Sequence, residues 1–151
     1  MSERFLIEKH SCPAEVFMSD GRVIEALLFL ADFAQTHGGS QTVKDLIDEP
    51  GNVLPAVDGD GEFVLIHKPA VSGVSVTPSA LDLEGYWHET PATLRLTGGH
   101  RIDGVLLVDD GSGERLSDVI NNAQDWLRLR QSDHLIWVRM SALVTARSPE
   151  A

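Results

Sequence analysis

An internal repeat constrains this chain more than any other feature of its sequence. Residues 16–32 and 94–110 share one pattern, in which two apolar stretches flank a turn that contains glycine. These two stretches lie 78 positions apart, whereas a later pair of matching segments, 43–48 and 116–121, lies 73 positions apart. The second copy has therefore lost five residues in the loop between them. A chain of this kind is expected to use one small module twice.

Each copy begins with the pattern of a β-hairpin followed by a short helix. Asp20-Gly21 between apolar stretches is typical of a tight hairpin turn, and Gly98-Gly99 supplies the same positive φ in the second copy. The second strand of each hairpin is apolar at nearly every position, which predicts burial on both faces over part of its length. Apolar residues spaced i, i+3 and i+4 then predict a helix in each copy, with Thr42 and Ser117 as capping residues. These apolar residues are Val43, Leu46 and Ile47 in the first copy and Leu116, Val119 and Ile120 in the second.

The rest of each copy is predicted to be β-structure. Two strands joined by a turn follow each helix, and a last short strand begins at Val71 and at Leu143. The turn at residues 58–62 carries alternate carboxylates, but it lies between strands and lacks the Gly and Glu spacing of a calcium-binding loop. A hairpin turn is therefore favoured over a calcium site.

The repeat also predicts the organisation of the chain. Pro13 is expected to end a short lead-in element, and Pro91 to lie in the connection between the copies. Tyr86 and Trp87, in the same connection, are expected to pack between the two modules. The predicted boundaries are a first module with its lead-in over residues 1–76, a linker over 77–91, a second module over 92–147 and a tail over 148–151.

Composition narrows the range of partners. The chain has 151 residues and a formal net charge of −11, so its surface repels phosphate backbones and anionic membranes. Its single cysteine, Cys12, cannot form a disulfide within the chain, and its first residues lack the basic segment and long apolar run of a signal peptide. The densest apolar run, 27–31, is too short to span a bilayer. We therefore expect a cytoplasmic protein that binds neither nucleic acid nor membrane.

Residues capable of catalysis or metal binding form no known motif in the sequence. The six histidines lack the paired spacing of a zinc site. Cys12, two positions after His10, is expected to be an incidental thiol rather than a nucleophile with its base. The Gly-rich segments 38–40 and 111–113 lack the Gly-Lys-Ser/Thr ending of a phosphate-binding loop. The sequence thus predicts a protein that is not an enzyme and has no cofactor or metal.

One group of aromatic and basic residues in the second copy is a candidate interaction face. The alternation in Leu127-Arg128-Leu129-Arg130 directs both arginines to one face of a strand. Tryptophan and arginine are enriched at protein interfaces, but tryptophans in strands are also common core residues, and both interpretations stay open. The candidate face comprises Trp126, Arg128, Arg130, Trp137 and Arg139.

The hairpin residues of the first copy follow the motif apolar-x-Asp-Gly-Arg-apolar-Ile-x-Gly/Ala-x-Leu, and the second copy shares its first apolar residue, its turn Gly, and its Ile, Gly/Ala and Leu positions. Its residues are Val16, Met18, Asp20, Gly21, Arg22, Ile24, Ala26 and Leu28, and in the second copy Leu94, Leu96, Gly99, Ile102, Gly104 and Leu106. This motif resembles the first signature of Sm-like proteins. The resemblance implies a mainly β chain of two tandem five-stranded Sm-like barrels, which assemble edge to edge through their outer strands. The predicted helix lies between strands 2 and 3 of each barrel, and the segment 116–121 resembles an insert of bacterial small-barrel proteins.

The resemblance does not extend to the RNA-binding residues of that family. Members that bind RNA carry an Asp and an Asn in the loop after the bent strand, and an Arg-Gly pair after the fourth strand. Asp32 and Asp110 fall near the first position, but only Arg139 matches the second, where Lys68 and Met140 replace the glycines. The resemblance therefore implies tandem modules without the RNA site.

These features predict a non-catalytic interaction or assembly subunit of a larger cytoplasmic complex. It is expected to contact a protein partner, or further copies of itself, through exposed strand edges. The alternative hypothesis is a small-ligand sensor in which the cleft between the modules holds a ligand stacked on Tyr86 and Trp87. RNA binding is a third and less favoured hypothesis.

Overall fold

The computed structural model describes residues 9–31, 41–78, 83, 87–109 and 115–149. These residues are mainly β-structure, as predicted, with ten strands and two short helices in the described ranges. The first half of the chain holds β1 (Lys9–Met18), β2 (Val23–Ala31), α1 (Val43–Asp48), β3 (Val53–Asp58), β4 (Phe63–His67) and β5 (Val71–Val76). The second half holds β6 (Trp87–Leu96), β7 (Arg101–Asp109), α2 (Leu116–Asn122), β8 (Trp126–Gln131), β9 (His134–Arg139) and β10 (Leu143–Arg147).

All ten described strands form one open sheet with the order β10-β6-β7-β8-β9-β5-β1-β2-β3-β4. Within each half, the fifth strand pairs with the first, and the first four strands are neighbours in chain order. The two halves meet where β9 pairs with β5 in an antiparallel register. The strands β4 and β10 consequently lie at the two ends of the sheet.

The repeat in sequence is also a repeat in strand register. Val16 lies opposite Ile24 in the first hairpin, and Leu94, 78 positions later, lies opposite Ile102 in the second. The fifth strand of each half pairs with the first through a register with one irregularity, near the end of that first strand. The two halves therefore share both topology and residue pairing.

Each half has its own hydrophobic core, although the sheet is continuous. The first core is built largely from β1, β2, α1, β3 and β5, and the second largely from β6, β7, α2, β8 and β9. Leu107, Leu135 and Trp137 come from the second half but belong to the first core, whereas Phe17 of the first half packs against the second core. Side chains exchanged between the halves thus join the two cores.

Each helix lies between the second and third strands of its half. Thr42 caps α1 as predicted: its side chain accepts from the backbone N–H of Asp45, and the Asp45 carboxylate accepts from the backbone N–H of Thr42. The prediction of Ser117 as the second cap is wrong, because α2 begins at Leu116 and its N-cap is Arg115, which makes no side-chain capping bond. Both helices are too short to be stable alone, so packing against the cores must stabilise them.

The prediction that proline interrupts the strands is wrong at two equivalent positions. Pro13 lies within β1 and Pro91, 78 positions later, lies within β6, which begins at Trp87 rather than after the predicted linker. In the described residues β5 pairs only from Ala14 onward along β1, so Pro13 has a neighbouring strand on one side. Proline is tolerated at such edge positions because no sheet partner needs its missing N–H.

The predicted burial of the second hairpin strand on both faces holds in only one half. Leu106, Leu107 and Val108 of β7 are all buried, but in β2 the side chain of Leu27 is 38% exposed between buried neighbours. Leu107 is covered because it packs into the core of the other half. The difference therefore comes from contact between the halves rather than from the strand pattern.

The predicted hairpin turns are confirmed. Gly21 has a φ of +98°, and Gly98 and Gly99 have φ values of +91° and +80°, a conformation that glycine adopts at low cost. The carboxylate-rich segment 58–62 is also a turn, closed by a hydrogen bond of 2.9 Å from the N–H of Asp58 to the carbonyl of Glu62.

Gly104 of β7 permits the close approach of β8. A Cβ atom at this position would lie 2.5 Å from the carbonyl oxygen of Arg130 and 2.5 Å from a side-chain carbon of Leu129. Gly104→Ala is therefore expected to lower the free energy of unfolding by about 1–3 kcal/mol through overpacking. Gly59→Ala is a matched control, since its Cβ would meet only the Glu25 carboxylate, at 3.8 Å, and its effect should stay within about 0.5 kcal/mol. Urea denaturation followed by tryptophan fluorescence measures both, and equal effects would contradict the tight approach of β8.

Candidate assembly interface

The junction between β5 and β9 joins the two halves of the molecule. Four residue pairs form its antiparallel register, from Gly73 opposite Val138 to Val76 opposite Leu135. Every residue of β5 is buried, as are the four central residues of β9. The junction is therefore as well covered as the interior of either half.

Trp137 of β9 carries much of the apolar contact at this junction. It lies opposite Val74 of β5 and belongs to the core of the first half, with only 7% of its surface exposed. The ammonium of Lys44 in α1 lies 6.0 Å from the centroid of the Trp137 ring. The indole Nε1 is buried and has no hydrogen-bond partner within the described part of the chain. Trp137 thus packs against both the last strand and the helix of the other half.

Arg139 fixes the same junction through hydrogen bonds. Its Nε donates to the carbonyl of Val71 and its Nη2 to the carbonyl of Lys68, each at 2.8 Å. The guanidinium also lies 4.5 Å from the centroid of the Trp126 ring. Burial lowers the pKa of Arg139, an effect that the nearby Asp125 opposes, and arginine remains charged at neutral pH. This side chain therefore fastens the 3₁₀ turn at 68–70 to the second half.

The two hairpin turns meet beside the strand junction. The ring Nε2 of His100 lies 2.7 Å from the carbonyl oxygen of Met18, and the hydroxyl of Ser72 donates to the carbonyl of Thr97 at 3.1 Å. A Cβ at Gly98 would lie 2.5 Å from the Met18 carbonyl oxygen, so only glycine fits there. Backbone contact between the turns therefore extends the junction beyond β5 and β9.

The residues of the predicted Trp/Arg face do not share one exposed surface. Trp137 and Arg139 lie inside the junction, and Trp126 is half-buried against the first core. Arg128 and Arg130 lie on the face of β8 opposite to the buried Leu127 and Leu129, and 14% of the Arg128 side chain and 43% of the Arg130 side chain are exposed. The structure therefore divides the group into a part that joins the halves and an outer pair of arginines, which lie on β8, one strand further from β5 than β9.

The outer arginines have acidic and aromatic neighbours within the chain. Arg128 lies 3.7 Å from a carboxylate oxygen of Asp109 and 5.2 Å from the ring centroid of Trp87, and Arg130 pairs with Glu89. Trp87 itself is half-buried against the core of the first half. Tyr86, which was predicted to pack beside it, lies outside the described residues.

A cleft of about 660 Å³ lies where α1 meets the second half of the chain. Its walls include Lys44 and Asp48 of α1, Asp109 of β7, Arg128 of β8 and Trp137 of β9. Lys44 is paired with Asp48, and Arg128 lies close to Asp109, so each of these two cations has a carboxylate beside it. The cleft is polar, and its charges are largely balanced.

The two end strands of the sheet carry the most exposed large hydrophobic side chains of the described residues. Phe63 and Leu65 on β4 are 66% and 55% exposed, and Val144 on β10 is 61% exposed. Their equivalents at the internal junction, 72 positions away along the chain, are Leu135, Trp137 and Ser72, all of which are buried. Sequence alone did not single out these residues, because strands as apolar as β4 are usually buried. Full burial of one such side chain is worth about 1.5–3 kcal/mol.

The described residues hold neither a cluster of three or more His, Cys, Asp or Glu side chains placed to bind a metal ion nor a helix long and apolar enough to cross a membrane. Comparisons with protein-family models, with curated proteins and with solved structures found no match. The candidate interface therefore has to be interpreted from its own geometry.

Arg139→Ala is expected to lower the free energy of unfolding by about 1.5–3 kcal/mol, because two carbonyls lose a charged hydrogen-bond donor. Arg139→Lys should recover only part of this loss, since an ammonium cannot reproduce the planar fork of the guanidinium. Arg101→Ala is the control, because it removes only an exposed pair with Asp103 and should cost less than about 1 kcal/mol. Thermal unfolding followed by circular dichroism compares the three, and an Arg139→Ala protein as stable as the control would contradict the fastening role.

Proposed function

We propose that this protein is a non-catalytic assembly subunit whose two sheet edges, which no strand of the described residues covers, bind strands of other protein chains. The observation that carries the proposal is the equivalence between the free edges and the internal junction. β4 corresponds to β9, and β10 corresponds to β5, in strand order and in register. Each of the two edges is therefore equivalent to one strand of the β5–β9 contact within the molecule.

The composition of the edges supports this proposal. An exposed, apolar edge strand favours pairing with further strands, and monomeric proteins commonly block such edges with lysine, proline or short strand length. The residues 63–66 of β4 include neither a charged side chain nor proline, and two of them are among the most exposed apolar residues of the described chain. An edge of this composition is suited to strand addition, in which backbone hydrogen bonds and alternate side chains bind a partner.

The resemblance to Sm-like proteins is consistent with this function. We propose that each half is an Sm-like module, in which the strand order of fifth, first, second, third and fourth is combined with a helix after the second strand. The family resemblance implies association through outer strands, which are the strands that end the sheet in this chain.

Leu65→Lys and Val144→Lys, separately and together, are expected to abolish association while leaving the fold intact, because each places a charge at a free edge. Val23→Lys is the matched control, since Val23 is 46% exposed but lies on β2 between two other strands. Light scattering after size-exclusion chromatography, and co-purification with the tagged full chain, measure association. The proposal fails if the wild-type protein is a monomer without partners, or if the edge variants associate as the wild type does.

A second candidate function is the binding of a small ligand in the cleft between α1 and the second half. The observation that favours it is the buried indole N–H of Trp137, which lacks a hydrogen-bond partner in the described chain and belongs to a wall residue of that cleft. A buried donor without a partner costs free energy that a ligand acceptor would recover. RNA is a less favoured ligand, because the net charge is −11 and the outer arginines lie beside carboxylates.

A thermal-shift screen of small metabolites against the wild-type protein tests the second candidate. A compound that binds the cleft should raise the melting temperature, and the shift should vanish in Trp137→Phe, which removes the indole N–H available to the ligand. Phe63→Ala, on an outer edge, is the control and should retain the shift. Equal shifts in both variants, or none with the wild type, would exclude this cleft as the ligand site.

A further inference from the structure

We infer that a cleft on the first half of the chain binds a linear aliphatic polyamine, with the ammonium groups at Glu15 and Glu25 and the methylene groups on Leu27. The cleft has a volume of about 470 Å³, within the range of small-ligand sites. Its lining comes from β1, β2, β3, β5 and β9 and from the turns beside them. The inference therefore goes beyond the proposed function, which concerns β4 and β10.

The cleft lies on the face of the first half that is opposite to its own core. Glu15, Glu25 and Ser75 each lie between two residues of the first core, or residues packed against it, along their strands. Because side chains alternate between the two faces of a strand, these three lie on the other face. Ser75 pairs with Ile136, which belongs to the second core. The cleft thus begins where the second core ends, on the same face of the sheet.

Three polar side chains form a row across the strands of this face. Glu15 lies directly opposite Glu25 on one side and directly opposite Ser75 on the other. Directly opposite residues share a face, and neighbouring strands lie about 4.8 Å apart. Neither glutamate has a hydrogen bond or an ion pair within the described ranges. Like charges in directly opposite positions destabilise a strand pair, so a cation bound here would remove a repulsion.

The hydroxyl of Ser75 is a second and independent sign of a ligand. Ser75 is 5% exposed and lines the cleft, and its hydroxyl has no hydrogen-bond partner in the described part of the chain. Among the described residues, the one fully shielded side-chain polar atom without a partner is the indole Nε1 of Trp137. The small exposed part of Ser75 therefore includes its hydroxyl oxygen, which can accept a hydrogen bond from an ammonium group in the cleft.

An apolar row runs beside the polar one. Leu27, two residues after Glu25, lies opposite both Pro13 and Val57. The side chain of Leu27 is 38% exposed, although its neighbours along β2 are buried. Residues two positions apart along a strand share a face, so the two rows are adjacent. A ligand that lies across these strands would meet carboxylates along one side and apolar side chains along the other.

The far end of the apolar row carries a further carboxylate. Asp58 lines the cleft, and its Oδ1 accepts hydrogen bonds from the backbone N–H groups of Asp60 and Glu62, each at 3.0 Å. These bonds hold the carboxylate in place at the edge of the cleft.

The arrangement of charge identifies the class of cation. The carboxylates occupy successive strands rather than one point, and apolar side chains lie between Glu25 and Asp58. A chain of methylene groups with ammonium groups at intervals matches both features, since each ammonium can form a charge-assisted hydrogen bond and each methylene can be covered. The net charge of −11 adds a general attraction for cations.

Isothermal titration calorimetry of the full chain with spermidine tests the inference. About 150 mM NaCl in the buffer screens the general attraction. Glu15→Gln should raise the dissociation constant by about tenfold, because one charge-assisted hydrogen bond is lost, and Ser75→Ala should raise it several-fold. Glu62→Gln is the matched control: it removes an exposed carboxylate outside the cleft lining and should change the constant by less than about twofold.

Thermal unfolding without ligand separates lost binding from lost folding. Glu15→Gln should keep or raise the melting temperature, since it relieves the repulsion with Glu25. Ser75→Ala should leave it unchanged, because the hydroxyl has no partner within the described residues. Weaker binding of spermidine by a variant that is as stable as the wild type supports the site. Equal binding by the wild type, Glu15→Gln and Ser75→Ala would overturn it.

Other cations distinguish this ligand class from its alternatives. Mg²⁺ and n-butylamine should each bind at least tenfold more weakly than spermidine, because the first has no methylene groups and the second has one ammonium. Mg²⁺ that binds as tightly as spermidine would mean a general attraction to the net charge and would overturn the inference. A tetralysine peptide that binds more tightly than spermidine, and that Glu15→Gln weakens, would assign the cleft to a protein segment instead.

One further variant keeps this inference separate from the proposed function. Val144→Lys, at the opposite end of the sheet, is expected to disturb association but to leave the dissociation constant for spermidine within about twofold of the wild type. Loss of spermidine binding in Val144→Lys would mean that the ligand is held between associated molecules rather than in this cleft.

Discussion

The pairing of β5 with β9 is the contact on which the rest of the structure depends. It converts two five-stranded halves, each with two open edges, into one sheet with two ends. Backbone pairing alone would stabilise this contact only weakly, since it involves only four residue pairs. Trp137 and Arg139 reinforce it, one by apolar packing into the opposite core and the other by charged hydrogen bonds to a turn.

The two halves differ most informatively at the positions that form this contact. The hairpins, helices and strand registers repeat along the chain, and even the prolines within β1 and β6 are equivalent. On the fourth strand of each half, however, Trp137 corresponds to Leu65 and Arg139 to His67. The larger pair makes a permanent contact within the chain, and the smaller pair lies on the free edge.

Much of the local structure could be predicted from the sequence, because local structure depends on neighbouring residues. Asp20-Gly21 and Gly98-Gly99 predicted turns with positive φ, and the spacing of Val43, Leu46 and Ile47 predicted a helix. The proline positions were misjudged, because tolerance of proline depends on whether a second strand lies alongside. Whether a second strand lies beside Pro13 depends on where β5 pairs with β1, and β5 lies about 60 positions further along the chain.

The candidate interface was harder to predict for the same physical reason. The core and interface interpretations of Trp137 both fitted its sequence context, and the pairing of β9 with β5 decides that it is a core residue of the other half. Phe63 and Leu65 were assigned to a strand, but their exposure follows from the position of β4 at the end of the sheet. Long-range strand order, which no local pattern encodes, thus determines which apolar residues remain available to a partner.

Amide hydrogen exchange at increasing protein concentration tests the central claim most directly, because backbone N–H groups at a free edge exchange with solvent until another strand pairs with them. If copies of this chain repeat the β5–β9 contact between molecules, the amides of β4 and β10 become protected together as the concentration rises. Those of β5 and β9 should be protected throughout. If both end strands exchange at the same fast rate at every concentration while the mass stays at the 16.5 kDa of one chain, the account is contradicted.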